Sequence, residues 1–165
     1  MAKIISIVNQ KGGVGKTTSA VNLAAALGAM GKNILLVDID PQGNTTSGYG
    51  ISRKNLTATS YELLIGSCSA KEAVIKTKFQ GVDIIPSNIN LAGAELELAV
   101  MDKREALLKN ALATIQENYD FIFFDCPPSL GLITLNALTA SDSFIVPIQC
   151  EYYALEGLSQ LMATV

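Results

Sequence analysis

Five short apolar runs rich in Ile, Val and Phe, at residues 3–8, 33–38, 82–86, 120–125 and 143–148, constrain this chain more than any other feature. They lack the polar alternation of half-exposed strands and so read as strands covered on both faces. Between them lie stretches with helical spacing at 16–29 (closed by Gly31), 60–65, 70–76, 91–100, 103–117 and 132–138. Strand–helix–strand alternation requires crossover connections, which predicts an α/β fold: a mostly parallel, twisted sheet flanked by helices. Asp102, three residues before Glu105, predicts an N-cap pair opening the helix over 103–117, where Ala106, Leu107, Ala111, Leu112 and Ile115 recur at helical spacing.

At 165 residues and 49% hydrophobic, the chain is sized for one domain with its own core. No repeat, low-complexity tract or linker divides it, so residues 1–165 are expected to form a single domain. The absence of histidine removes Ser/His and Cys/His nucleophile pairs and imidazole ligands. The chemistry falls to Lys, Asp, Glu, Thr and backbone amides. Three widely spaced cysteines, Cys68, Cys126 and Cys150, fit reduced thiols better than a disulfide framework or a zinc site. The longest apolar helical stretch, 20–30, falls short of the roughly 20 residues a bilayer span needs. The run at 4–8 is too short for a secretion signal, so a cytoplasmic protein with no membrane association is expected. The net charge is −3, and residues 110–165 carry no Lys or Arg, so this third offers no basic footprint for DNA. From Ala154 onward, Leu155, Leu158, Leu161, Met162 and Val165 follow a helical period with no closing residue, which predicts a protein continuing past Val165.

Three segments carry the chemistry. Lys11-Gly12-Gly13-Val14-Gly15-Lys16-Thr17-Thr18 lies between the first strand and an Ala-rich helix. Small residues let backbone N–H groups curl around an anion, and the helix N-terminus adds donors and a favourable dipole. Lys16 would reach the β- and γ-phosphates, and the Thr17 hydroxyl would ligate Mg²⁺. The common G-x-x-x-x-G-K-[ST] pattern wants glycine at Gln10; an added lysine, Lys11, follows instead. Asp38 and Asp40 end the second strand, where alternation places both on one side of the extended chain, able to meet the metal and an attacking water. Asp125 ends the apolar run 120–125 and would hold Mg²⁺, which keeps much of its hydration shell, through water. The plainer alternatives are a simple glycine turn with solvated lysines, an Asp-Pro turn, and a strand-ending Asp. Cys126 reads as packing.

Together KGGVGKTT (11–18), DIDPQGN (38–44), FFDCPPSLG (123–131) and QCEYYALEG (149–157) resemble the deviant Walker A ATPases of the ParA/Soj branch, relatives of MinD and the nitrogenase iron protein. The resemblance covers essentially the whole chain and implies a P-loop NTPase of that subgroup. It further implies ATP and Mg²⁺ as cofactors, with the loop residues Gly12, Gly13, Val14 and Gly15 around the phosphates. Lys11 matches the signature lysine that reaches the partner's ATP in a homodimer, Lys16 the phosphate lysine, Thr17 the Mg²⁺ ligand and Thr18 a phosphate contact. Asp40 matches the residue positioning the hydrolytic water, Asp125 the Walker B carboxylate, Asp38 a second contact to the Mg²⁺ shell, and Glu151 a contact to the partner's ribose. Family members run on by about another third, which carries the adenine pocket and basic residues for non-specific DNA binding. The function implied is a dimerising ATPase that segregates chromosomes or plasmids, bound to nucleoid DNA and stimulated by a ParB/Spo0J-like partner. The alternatives are a MinD-like membrane-associated positioning ATPase, a small-molecule ATP-dependent ligase on the same scaffold, and an iron–sulfur carrier.

Overall fold

In the computed structural model, which describes residues 1–150, each of the five apolar runs forms a strand and a sixth short strand joins them. In chain order the elements are β1 (Lys3–Ile7), α1 (Lys16–Ala29), β2 (Ile34–Asp38), α2 (Asn44–Gly48), α3 (Ser60–Leu64), α4 (Ala70–Ala73), β3 (Ile75–Lys76) and β4 (Val82–Ile85). There follow α5 (Ala94–Leu98), α6 (Leu107–Leu112), β5 (Phe121–Asp125), α7 (Leu132–Ala140) and β6 (Ser143–Ile145), with 3-10 turns at Ile89–Gly93 and Gln116–Asn118. The sheet order is β3-β4-β2-β5-β1-β6, parallel throughout except for the β3–β4 pair. The expected mostly parallel sheet flanked by helices is therefore present.

Alternating side chains divide each strand between two cores. Leu35, Val37, Ile122 and Phe124 pack on the face covered by α3, α5, α6 and α7, while Ile34, Leu36, Phe121 and Phe123 pack on the face covered by α1. Phe123 and Phe124 are essentially without exposure, and burial of such side chains contributes about 2 kcal/mol each. Helix α1 presents Lys16, Ala20, Ala24 and Gly28 to the sheet, small residues past the first turn that let the helix lie close. A Cβ at Gly28 would strike the Gln80 carbonyl and the Val82 side chain. Gly31, at φ +84°, ends the helix in the left-handed region, its N–H donating to the Gly28 carbonyl at 2.9 Å. Among the described residues no helix is long and apolar enough to cross a membrane.

Three sequence expectations need correction. The helix expected over 70–76 stops at Ala73; Val74 is extended and Ile75 pairs with Ile84 in β3, because consecutive β-branched residues at a sheet edge gain more from strand pairing. The helix expected over 103–117 is reduced to α6 and a separate 3-10 turn, and Asp102 does not cap it. Lys103 is left-handed at φ 52°, and the cap position falls on Ala106, without a side-chain bond. Buried Asn136 of α7 takes over, its Oδ1 accepting from Leu108 N at 3.2 Å and its Nδ2 donating to the Arg104 carbonyl at 2.7 Å. The helical stretch expected over 91–100 is a 3-10 turn followed by α5. The helical pattern from Ala154 and the position of Glu151 lie outside the described residues.

Candidate active site

The carboxyl ends of β1, β5 and β2 lie side by side, with β5 in the middle: Ile7 and Asp38 both sit opposite Asp125 in register. The loop after β1 and the acidic segment after β2 therefore flank the end of β5, outside the carboxyl ends of the strands, where ligands bind in open α/β sheets. Asn9 starts the turn out of β1. Its Oδ1 accepts from Lys11 N and its Nδ2 donates to the Pro147 carbonyl, both at 2.9 Å, tying the loop to the chain beyond β6. Gly13 (φ +74°) and Gly15 (φ +94°) take left-handed conformations, and no Cβ contact closes the space beside either. Helix α1 opens on Gly15 with no capping side chain. Its first turn is thus presented to the cleft rather than covered by a local Ser, Thr or Asp.

That cleft, of about 360 Å³, is lined by Gly12, Gly13, Gly15, Lys16, Thr17, Thr18, Asp40, Gln42, Asn44 and Pro128. Lys16 is only 7% exposed, and its ammonium donates to the Lys11 carbonyl at 3.1 Å. Burial lowers its pKa from the usual lysine range, and the charges of Asp125 and Asp40 oppose that shift. The Thr17 hydroxyl donates to Asp125 Oδ2 at 2.8 Å. Asp125 is buried; desolvation and the neighbouring Asp40 push its pKa up, against the hydrogen bonds from Thr45 and Thr17. Asp40 accepts from Gln42 N at 2.8 Å, which turns the chain after β2. Lys11 is half-buried beside the cleft. Val14 is buried.

Neither Asp125 nor Asp38 lines the cleft: Asp125 adjoins it through its bond to Thr17, and Asp38 has no such bond to the lining hydroxyl. Asp38 stays in the core. It is fully buried, with Oδ2 accepting from Thr46 N at 2.8 Å and Thr46 Oγ1 at 2.6 Å, and Oδ1 accepting from Asp40 N at 3.2 Å. Desolvation, opposed by these bonds, pushes its pKa up to about 7. Sequence reasoning passed over Asn9, Thr45 and Thr46. The available signals were an Asn two residues before Lys11 and hydroxyl residues directly after Gly43-Asn44. A larger cleft of about 470 Å³ at the opposite end of the strands has a buried carboxylate, Asp83, already bonded to Lys76 at 2.7 Å and Tyr119 at 2.9 Å. It holds none of the motif residues.

A glycine loop between a parallel strand and a helix, a buried lysine at its base, and a hydroxyl paired with the acid ending a neighbouring strand define a P-loop NTPase fold. Residues 2–165 match the family model described as AAA domain, and the chain belongs to that family. It is 57% identical over 165 residues to the sporulation initiation inhibitor protein Soj of Bacillus subtilis, an alignment covering all of this chain and 65% of Soj. It is 53% identical to the chromosome partitioning protein ParA of Myxococcus xanthus, covering all of this chain and 58% of that protein. The resemblance to Soj and ParA thus extends over the whole chain, which spans less than two thirds of either relative. Among solved structures, cobyrinic acid a,c-diamide synthase of Mycobacterium smegmatis with bound ADP and magnesium superposes with a TM-score of 0.95 at 43% identity, covering 99% of this chain and 66% of that one.

Proposed function

We propose that this chain is the nucleotide-binding region, one domain over 1–165, of a partition ATPase that binds ATP with Mg²⁺ and hydrolyses it to ADP and phosphate. The observation that carries the reading is Lys16: a lysine almost removed from water at the base of a glycine loop, between two carboxylates. A buried ammonium held this way suits a polyanion that completes its coordination.

The residues fit the metal. Asp125 Oδ1 is buried with no hydrogen-bond partner among the described residues, and the Thr17 hydroxyl lies beside the other oxygen of the same carboxylate. Thr17 and Asp125 would hold Mg²⁺, an oxygen-seeking ion, which supplies charge neutralisation across the β- and γ-phosphates. Lys16 and the amides of the loop from Gly12 to Thr18 grip the phosphates. Asp40 faces the same cleft and orients the water for in-line attack on the γ-phosphate. Asp38 supports this segment from behind, fixing Asp40 through its backbone N–H. Catalysis is then positioning and charge stabilisation.

The name of ParA supports the partitioning role; on the resemblance of the four motifs to the ParA/Soj branch the reading extends to a cytoplasmic, nucleoid-associated protein that dimerises around ATP, binds DNA without sequence preference and answers to a ParB/Spo0J-like partner. Lys11 is assigned to the partner subunit's ATP, and Glu151 to its ribose. The likeness to the diamide synthase favours one second reading, a small-molecule ligase, which would show turnover dependent on an added carboxylate and amine. Calorimetry with ATP tests the primary assignment: Lys16→Ala should abolish measurable binding, and undiminished affinity would overturn the phosphate-loop reading.

A further inference from the structure

Two threonines stand side by side on α2, and each grips a different strand-end carboxylate. Thr46 Oγ1 donates to Asp38 Oδ2 at 2.6 Å and accepts from Ser87 N at 2.9 Å, which ties α2 to the end of β4. Thr45, fully buried, donates its Oγ1 proton to Asp125 Oδ2 at 2.7 Å. Thr17 donates to that same oxygen at 2.8 Å. One carboxylate oxygen therefore carries two hydroxyl donors, while Oδ1 of the same group is buried without a partner among the described residues.

A buried acceptor left unpaired is destabilising, and rotation of the carboxylate could share the two donors between the two oxygens. The donors come from opposite sides, Thr17 from the phosphate loop and Thr45 from the segment following Asp40, and together they hold the rotation fixed. A threonine hydroxyl has one proton and two lone pairs, so Thr17 can offer oxygen to a cation while keeping its proton on Oδ2. Its position then depends on the cation. Thr45 has no place in the cleft lining and lies outside the loop, so its hold on Oδ2 does not depend on what the loop contains.

We propose that Thr45 is the positioning residue of the metal site: its hydroxyl fixes Asp125 through Oδ2 so that Oδ1 remains the oxygen available to the hydrated Mg²⁺. This rests on the Mg–nucleotide reading above. Because α2 directly follows the Asp40 turn, the same bond ties the water-orienting segment to the carboxylate that senses the metal. Loss of an outer partner of a metal-binding group lowers metal affinity by about 10- to 100-fold.

The test is a fluorescent ADP analogue titrated into the protein with excess Mg²⁺ and with EDTA, followed by Mg²⁺ titration at fixed nucleotide. For Thr45→Val, which keeps the shape and removes the donor, affinity in EDTA should stay within about twofold of the parent while the Mg²⁺ half-saturation point rises about tenfold or more. Thr45→Ser should restore the parental Mg²⁺ response. A Thr45→Val protein with the parental Mg²⁺ response, or one losing equal affinity with and without Mg²⁺, overturns the assignment. Should the valine variant fail to fold, Thr45→Cys, a poorer donor in the same place, must shift the Mg²⁺ titration in the same direction; an unchanged titration overturns the proposal. A parent that binds no nucleotide under either condition overturns the nucleotide reading itself, and this inference with it.

Discussion

Asp38 of β2 and Asp125 of β5 occupy the same register position on adjacent parallel strands, and each is held by a neighbouring threonine of one short helix. The pair divides two tasks. Asp125 keeps a buried oxygen without a partner, whereas both oxygens of Asp38 accept hydrogen bonds from its own segment. Asp38→Ala strands the donors Thr46 N, Thr46 Oγ1 and Asp40 N, and should lower the unfolding free energy of nucleotide-free protein by about 3 kcal/mol. Urea denaturation measures it; an unchanged midpoint and slope would mean the bonds contribute nothing.

Asp40 differs in facing the cleft. Removing it should leave the phosphate grip intact and disable the water, so Asp40→Ala is expected to bind ATP near the parental affinity with turnover lost. An ATP-trapped dimer should then accumulate on size-exclusion chromatography. Parental turnover in this variant contradicts the assigned role.

Lys11 supplies its carbonyl to the Lys16 ammonium, so its backbone belongs to the loop whatever its side chain does. A charge supplied in trans to a phosphoryl-transfer site raises hydrolysis by roughly a thousandfold or more. Lys11→Ala should therefore bind ATP within about tenfold of the parent yet fail to dimerise with ATP and Mg²⁺. Sedimentation decides it, and normal dimerisation would leave the side chain without that role.

Tyr49 is buried under α1, donates to the Val21 carbonyl at 3.2 Å and stacks edge-on with Phe79. Burial pushes its phenol up to about 12, well above the ordinary tyrosine range. The folded state thus holds this proton more tightly than the unfolded chain, so the stabilisation is complete below pH 10 and is lost as pH rises from about 10 to 12. Tyr49→Phe should flatten that part of the alkaline denaturation curve, and an ultraviolet titration should lose one late-ionising tyrosine step, while that of Tyr119, pushed higher still by burial and its bond to Asp83, remains. A curve with unchanged slope would remove Tyr49 from the alkaline transition.

The parallel sheet is legible because its strands are continuous apolar runs, and the gathering of Lys16, Asp40 and Asp125 is legible because they sit at loop and strand-end positions that the fold brings together. What escaped was short or supplied from a distance. The capping boxes Thr59–Glu62 and Ser69–Glu72 carry a local S/T-x-x-E signature, whereas the similar spacing of Asp102 and Glu105 marks no cap, because distant Asn136 supplies the contact instead. Helix α2 has too few residues to display a period, yet it delivers Thr45 and Thr46. Asp38 illustrates the limit of alternation: it gave the correct strand end, but whether a carboxylate meets the cleft or the core depends on the segment that folds over it.

The antiparallel pair at one side of the sheet also sets its two margins apart. β3 is two residues long and pairs antiparallel, and it carries the charge of Lys76, anchored on Asp83; so short and charged an edge is a poor template for another strand. Among the described residues β6 forms the opposite margin, parallel to β1 and only three residues long. The two margins thus differ in kind: one ends in an antiparallel pair with Lys76 held on Asp83, and among the described residues the other runs parallel to β1, on the flank nearest the phosphate loop.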